Sequence, residues 1–143
     1  MGLFQVDFYS KTLAKIVSFN MILPNDIPPE MIEENEHYKR KVKTLYLLHG
    51  YSGSNKDWLL GSMAQEMAAK YNMAMVMPSG DNSFYLDGKG TGKAYCQFVG
   101  QELVAYIRKT FSLSGRLWSN SYRSYLSDYV WKGHGSFFRV DYS

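Results

Sequence analysis

Cysteine is nearly absent from this sequence. Cys96 stands alone among 143 residues, so no internal disulfide can staple the chain, which fits a reducing compartment. A solitary thiol of this kind reads as a small packing residue. Long apolar runs are missing too: none approaches the roughly 18 residues that cross a bilayer as a helix. Met1 to Asp7 has neither the basic stretch nor the apolar core of an export signal. Together these absences predict a cytoplasmic protein that neither spans nor binds a membrane. Histidines are few and scattered, at His37, His49 and His134, without metal-ligand spacing, so no metal is expected. Charge is not of one sign. The net charge is only +3, and the one basic cluster, Lys39-Arg40-Lys41 with Lys43, follows Glu33, Glu34 and Glu36. That mixture reads as a solvated loop, with His37 in it, rather than as a nucleic-acid patch.

What is present suits one soluble α/β domain. Apolar content of 45% with 20% charged residues is ordinary for a globular chain long enough to bury a core. Phe4, Val6 and Phe8 alternate with Gln5, Asp7 and Tyr9, and Val17, Phe19 and Met21 with Ser18 and Asn20. Each is the period-two pattern of a half-buried strand. The short gap from Ser10 to Lys15 makes the two an antiparallel hairpin, ended by Pro24. Asn25 to Lys41 is a polar connection with at most a helical turn. Thr44 to Leu48 and Ala74 to Met77 are short apolar runs of the kind buried in parallel sheets. Between them, Ser62-x-x-Gln65 has a capping-box pattern, followed by Met63, Met67 and Tyr71 on one helical face. Tyr95, Phe98, Val99, Leu103, Tyr106 and Ile107 form a second helical stripe to about Lys109. Hairpin, then strand–helix–strand–helix, predicts a mostly parallel sheet with helices on its faces.

Chemistry concentrates after the first apolar run, in "LYLLHGYSGSNKDW" (45–58). Glycines at 50 and 53 permit positive φ and close backbone approach. The amides of Tyr51 and Ser52 can then face a cleft at the strand's carboxyl end, where open α/β sheets bind ligands. Amides so placed stabilise an oxyanion. On these residues alone a plain strand-to-helix turn, oriented by a His49 hydrogen bond, explains the loop equally well. Gly88 to Lys93 is glycine-rich and basic but lacks phosphate-loop spacing, and reads as a flexible loop.

Three stretches in order, "LYLLHGYSGSNKDWL", "MVMPSGDNSFYLD" and "AYCQFVGQELVAYIRKTF", resemble the putative-esterase family of the α/β-hydrolase fold. That family includes tributyrin and acetyl esterases and the esterase D or S-formylglutathione hydrolase enzymes. The resemblance covers about residues 2 to 111, the N-terminal part of such a domain. It implies a partial α/β-hydrolase fold and serine-dependent hydrolysis of short-chain acyl or acetyl esters, with no cofactor and a small ester as ligand. His49, Gly50, Tyr51 and Ser52 would form the oxyanion-hole loop. Trp58, Phe84 and Tyr85 would wall the substrate pocket, packing beneath a loop being the other reading of these aromatics.

The family's nucleophile elbow, G-x-S-x-G, occurs nowhere in the sequence. Its place falls between Phe111 and Gly133, where "GRLWSNSYRSYLSDYVW" (115–131) holds neither a helical nor an alternating period. From Tyr106 onward there is no Ala, Glu or Met, although these make up a fifth of the residues before it. Gly133-His134-Gly135-Ser136 resembles the continuation of the elbow without its serine. A shifted reading frame across Gly115 to Lys132 accounts for both features. A divergent C-terminus is the other account. In this fold the acid and the base follow the serine, so both would lie beyond Ser143. Residues 112–143 are therefore expected to be an atypical, poorly ordered segment, and the chain an impaired esterase. An alternative is a non-catalytic module that binds acyl or sugar esters, or self-associates through an open sheet edge.

Overall fold

The computed structural model describes residues 1–90 and 92–113 in full, and residues 128–132 and 136–139 as strand backbone. Strand β1 (Gly2–Ser10) pairs antiparallel with β2 (Lys15–Leu23) in the predicted hairpin. A short helix α1 (Pro29–Ile32) and a 3₁₀ turn at Glu36–Lys39 occupy the polar connection. Strand β3 (Lys43–Leu48) leads through α2 (Asp57–Gly61) and α3 (Ala64–Tyr71) to β4 (Met73–Pro78). The long helix comes next, as α4 (Tyr95–Gln97), a π-turn at Phe98–Glu102, and α5 (Leu103–Phe111). Strands β5 (Asp128–Lys132) and β6 (Ser136–Arg139) complete one sheet in the order β1-β2-β4-β3-β5-β6.

The sheet is mixed rather than mostly parallel. β3 runs parallel to β4 and to β5, whereas β1–β2, β2–β4 and β5–β6 are antiparallel. The sequence pattern identified the central parallel pair but could not show that the hairpin joins the sheet through β2 and β4. Strand alternation assigns the two faces. Phe19, Met21, Tyr46, Leu48 and Val76 point to one side, where Phe98, Leu103, Val104 and Ile107 cover them. Full burial of each such side chain is worth roughly 1.5–3 kcal/mol. Phe8 of β1 stacks on Tyr106 at 4.0 Å and 12°, tying the hairpin to the same helix. Ile22, Leu47, Met75 and Met77 face the other way, against Ala64 and Ala68 of α3.

The π-turn has a visible cause. Phe98 and Leu103 are five residues apart, and one extra residue in the turn lets both face the sheet. It also carries Glu102 to the hairpin turn. There its carboxylate accepts hydrogen bonds from Ser10 Oγ at 2.5 Å and from the Lys11 and Thr12 amides at 2.6 and 3.2 Å.

Helix α3 begins later than the capping-box pattern predicts. Ser62 precedes the helix, accepting from the Ala64 amide at 3.2 Å and donating to Trp58 O. The buried stripe is Ala64 and Ala68, while Met63 is exposed. Small side chains are what allow this helix to approach the sheet closely. The basic cluster is used locally: Arg40 donates to the carbonyls of Tyr71 and Asn72 at the end of α3, and Lys39 pairs with Glu36.

Candidate active site

Two loops meet at the carboxyl ends of β3 and β4. The first starts at His49, which is buried. Its Nδ1–H donates to Gly50 O at 2.7 Å, and its Nε2 accepts the Gly80 amide at 2.9 Å. A carbonyl can only accept and an amide can only donate, so the ring is the neutral Nδ1–H tautomer. With both nitrogens engaged, His49 fastens one loop to the other and has no lone pair left to act as a base.

The amides after His49 have distinct fates. Gly53 N–H closes a turn onto Gly50 O at 3.1 Å. Ser52 N–H donates to Asn82 Oδ1 at 2.7 Å. Tyr51 N–H meets no acceptor among the described residues. The left-handed position expected at a glycine is taken instead by Ser52, at φ 60°. A Cβ at Gly53 would stand 2.2 Å from Asp57 Oδ2 and 3.1 Å from Gly50 O, so the Asp57 carboxylate would have to move aside. Gly50 has open space around it and no positive φ.

The second loop, Ser79 to Asp87, packs behind and beside the first. Tyr85 is buried, edge-on to His49 at 5.7 Å, and its ring lies so close to Gly80 that a Cβ would meet it at 2.2 Å. Burial drives the Tyr85 hydroxyl pKa well above its ordinary value, against an opposing pull from the His49 amide, so it stays protonated. Phe84 turns outward and stacks on Tyr51 with ring centres 5.5 Å apart, both rings exposed. Among the described residues, Ser52, Asp81, Phe84 and Tyr85 account for four of the seven non-glycine residues with positive φ. Each costs about 1–3 kcal/mol, and such strain concentrates where geometry is held for use.

The structure thus brings together His49, Gly50, Tyr51, Ser52, Phe84 and Tyr85. It sets Trp58 apart, on α2 at the opposite face of the sheet, in an apolar trough of about 270 Å³ with Leu45, Leu47, Met63 and Met67. The sequence motif put Trp58 near the loop in chain order, but strand alternation decides the face.

Sequence reasoning missed a network at the outer side of the same loops. Lys15 Nζ lies 3.0 Å from Asp81 Oδ2 and 2.9 Å from Tyr95 Oη, and the Tyr95 hydroxyl donates to the same Asp81 oxygen. Hydrogen bonds to Tyr95 and then Asp81 raise the Lys15 pKa, and those from Tyr95 and Lys15 lower that of Asp81. Members come from the hairpin, the second loop and the start of α4, so no local spacing announces them. Among the described residues, no three His, Cys, Asp or Glu side chains gather as a metal site, and no helix is long and apolar enough to cross a membrane.

The register of β5 bears on the remainder of the site. Lys132, its last residue, stands opposite Leu48, the last residue of β3, so the chain leaves β5 beside the His49 loop. The expected elbow region at 115–127 and Gly133-His134-Gly135 lies outside the described residues.

Comparison with known proteins agrees with this architecture. Residues 10–121 match the family described as Putative esterase. An acetyl esterase of Caldicellulosiruptor saccharolyticus is 41% identical over 113 residues, which are 79% of this chain and 42% of that protein. Among solved structures, a fluorophosphonate-binding serine hydrolase of Staphylococcus aureus superposes with a TM-score of 0.69 at 21% identity, covering 92% of this chain and 46% of that one. An S-formylglutathione hydrolase of the same organism gives 0.66 at 22% identity, with the same coverages. At these identities the structural likeness establishes the fold. The chain spans less than half the length of these relatives.

Proposed function

The chain belongs to the Putative esterase family, and from that premise we propose that its two loops form the oxyanion-binding half of a serine carboxylesterase site for short acyl or acetyl esters. The observation that carries this reading is the Tyr51 amide. Among the described residues it meets no acceptor, whereas the neighbouring amides of Ser52 and Gly53 are already committed. His49 and Asn82 hold that loop from two sides. A donor fixed in advance costs no reorganisation when a tetrahedral intermediate develops negative charge, and one such donor is worth about 3–4 kcal/mol of barrier. Phe84 and Tyr51 flank the position of the ester as an exposed aromatic pair.

Nucleophilic attack needs a serine lifted on a strained turn and deprotonated by a histidine. No G-x-S-x-G occurs in this sequence, and we propose that this chain by itself is inactive or strongly impaired. In this reading residues 1–111 are the N-terminal part of an esterase domain, and 112–143 an atypical segment in which Gly115 to about Lys132 is read in a shifted frame. The protein is cytoplasmic, with a small ester as its ligand. The test is a fluorophosphonate reaction followed by mass spectrometry, beside an assay with a short-chain nitrophenyl ester. We expect no stoichiometric adduct and turnover near the uncatalysed rate. Full labelling at one serine would overturn the proposed impairment. Coding DNA that spells an apolar strand and G-x-S-x-G in neither alternative frame across residues 115–132 would remove the frame explanation.

A further inference from the structure

The long helix covers one face of the sheet, whereas α3 packs on the other. Beside α3, over β3, lies the apolar trough of about 270 Å³, walled by Leu45, Leu47, Trp58, Met63, Met67 and Met75. β3 runs parallel to both of its neighbours, and such strands are ordinarily buried on both faces. Here Met63, on the wall, is 60% exposed.

The walls say what would fit. The Ser62 hydroxyl is already engaged, accepting the Ala64 amide and donating to Trp58 O, so a polar ligand gains nothing from it. Three methionines are unbranched and flexible, and they adapt to an alkyl chain better than to a rigid ring. Charge supplies the direction. Alternation along β3 sets Lys43 on the same face as Leu45 and Leu47, and the step from Lys43 to Leu47 is about 13 Å. Lys43 is half-buried, and its ammonium meets no carboxylate among the described residues. Burial and then the neighbouring Arg40 hold its pKa below the ordinary lysine value. Arg40 donates to the carbonyls of Lys41, Tyr71 and Asn72, none of which cancels its charge. Negative charge stands elsewhere: Asp57 opens α2 beside Trp58, toward the far end, and Glu66 of α3 is exposed, one turn before Lys70. An apolar wall that ends at an unpaired cation is complementary to a single alkyl chain that ends in an anion.

We propose that the trough binds a free single-chain anionic amphiphile, its alkyl chain along Leu45, Leu47 and Met67 and its anionic head at Lys43. This site lies across the sheet from His49 and Tyr51 and rests on nothing in the esterase reading.

The test is a titration of the full chain, carrying methyl-labelled methionine, with alkanoates from hexanoate to dodecanoate below their micelle concentrations. Saturable shifts are expected at the Met63, Met67 and Met75 methyls. Met21, buried on the other face, and the Tyr51 amide should stay in place. Affinity should rise about fourfold for every two methylenes, each left half-buried by the open side, until the chain outgrows the trough. Decyltrimethylammonium, with the opposite charge, should bind more weakly than decanoate. Lys43→Gln should weaken decanoate by about fivefold and leave the cation unweakened, and Met67→Gln should weaken both. Unmoved methionine methyls, shifts centred on the Tyr51 loop, equal binding of cation and anion by the parent, or a folded Lys43→Gln chain that binds decanoate like the parent would overturn the proposal. So would sedimentation showing that the same methyls shift on self-association and that decanoate does not compete, which would make a second copy the occupant.

Discussion

Replacing Glu102 with Gln should loosen the hairpin from the long helix. The carboxylate accepts three hydrogen bonds, from Ser10 Oγ, Lys11 N and Thr12 N, and Ser10 Oγ in turn accepts the Leu13 amide at 3.0 Å. Bonds to a charged acceptor contribute about 1.5–3 kcal/mol each. Here they share one partly exposed group, and solvent screening reduces the sum. Gln keeps one acceptor oxygen but turns an NH₂ toward donors, so a loss of about 2 kcal/mol is expected at neutral pH. The pH dependence follows from the same contacts. Burial by itself would raise the Glu102 pKa, but the hydrogen bonds from Ser10, Thr12 and Lys11 outweigh it and hold the group below its ordinary 4.5. A lowered folded pKa stabilises above the unfolded value and loses that stabilisation as pH falls through the folded one. Urea denaturation of both proteins should therefore show a gap at pH 7 that narrows below about pH 4. A gap of the same size at every pH would mean that the charge contributes nothing and would refute the reasoning.

Two further outcomes bear on the site. Gly80→Ala places a Cβ against the Tyr85 ring, and overpacking should cost about 1–3 kcal/mol; thermal unfolding unchanged from the parent would mean that the ring can retreat freely. His49→Ala strands the Gly80 amide without its acceptor, at about 1–3 kcal/mol. Hydrogen exchange at Gly80 should quicken while the Phe4–Met21 region of the hairpin keeps its protection.

The hairpin and the long helix were legible in the sequence because each has a period. Phe4, Val6 and Phe8 alternate in burial as they alternate in sequence, and the stripe from Tyr95 to Ile107 lies against the sheet. Even the π-turn is visible in retrospect, as the five-residue step from Phe98 to Leu103. The site loops carry no period, and their details escaped. Residue type suggested that a glycine would take the left-handed conformation, whereas Asn82 pins Ser52 there by its amide. The pairing of Lys15 with Asp81 and Tyr95 depends on β2 lying beside β4 in the sheet, which no local pattern encodes. Trp58 went astray because proximity in sequence to His49 says nothing about which face of the sheet a side chain meets.

The sheet order has a consequence for how the chain comes off the ribosome. β3 finds one neighbour early, when β4 follows it after two short helices, but its other edge waits for β5. Until Asp128–Lys132 has been synthesised and has cleared the exit tunnel, the backbone of Thr44 to Leu48 has an unpaired side at the centre of what will become the sheet. Such an edge invites pairing with another nascent chain. Pausing of translation before residue 128 would therefore prolong the exposure of that edge, and chaperone engagement would cover it.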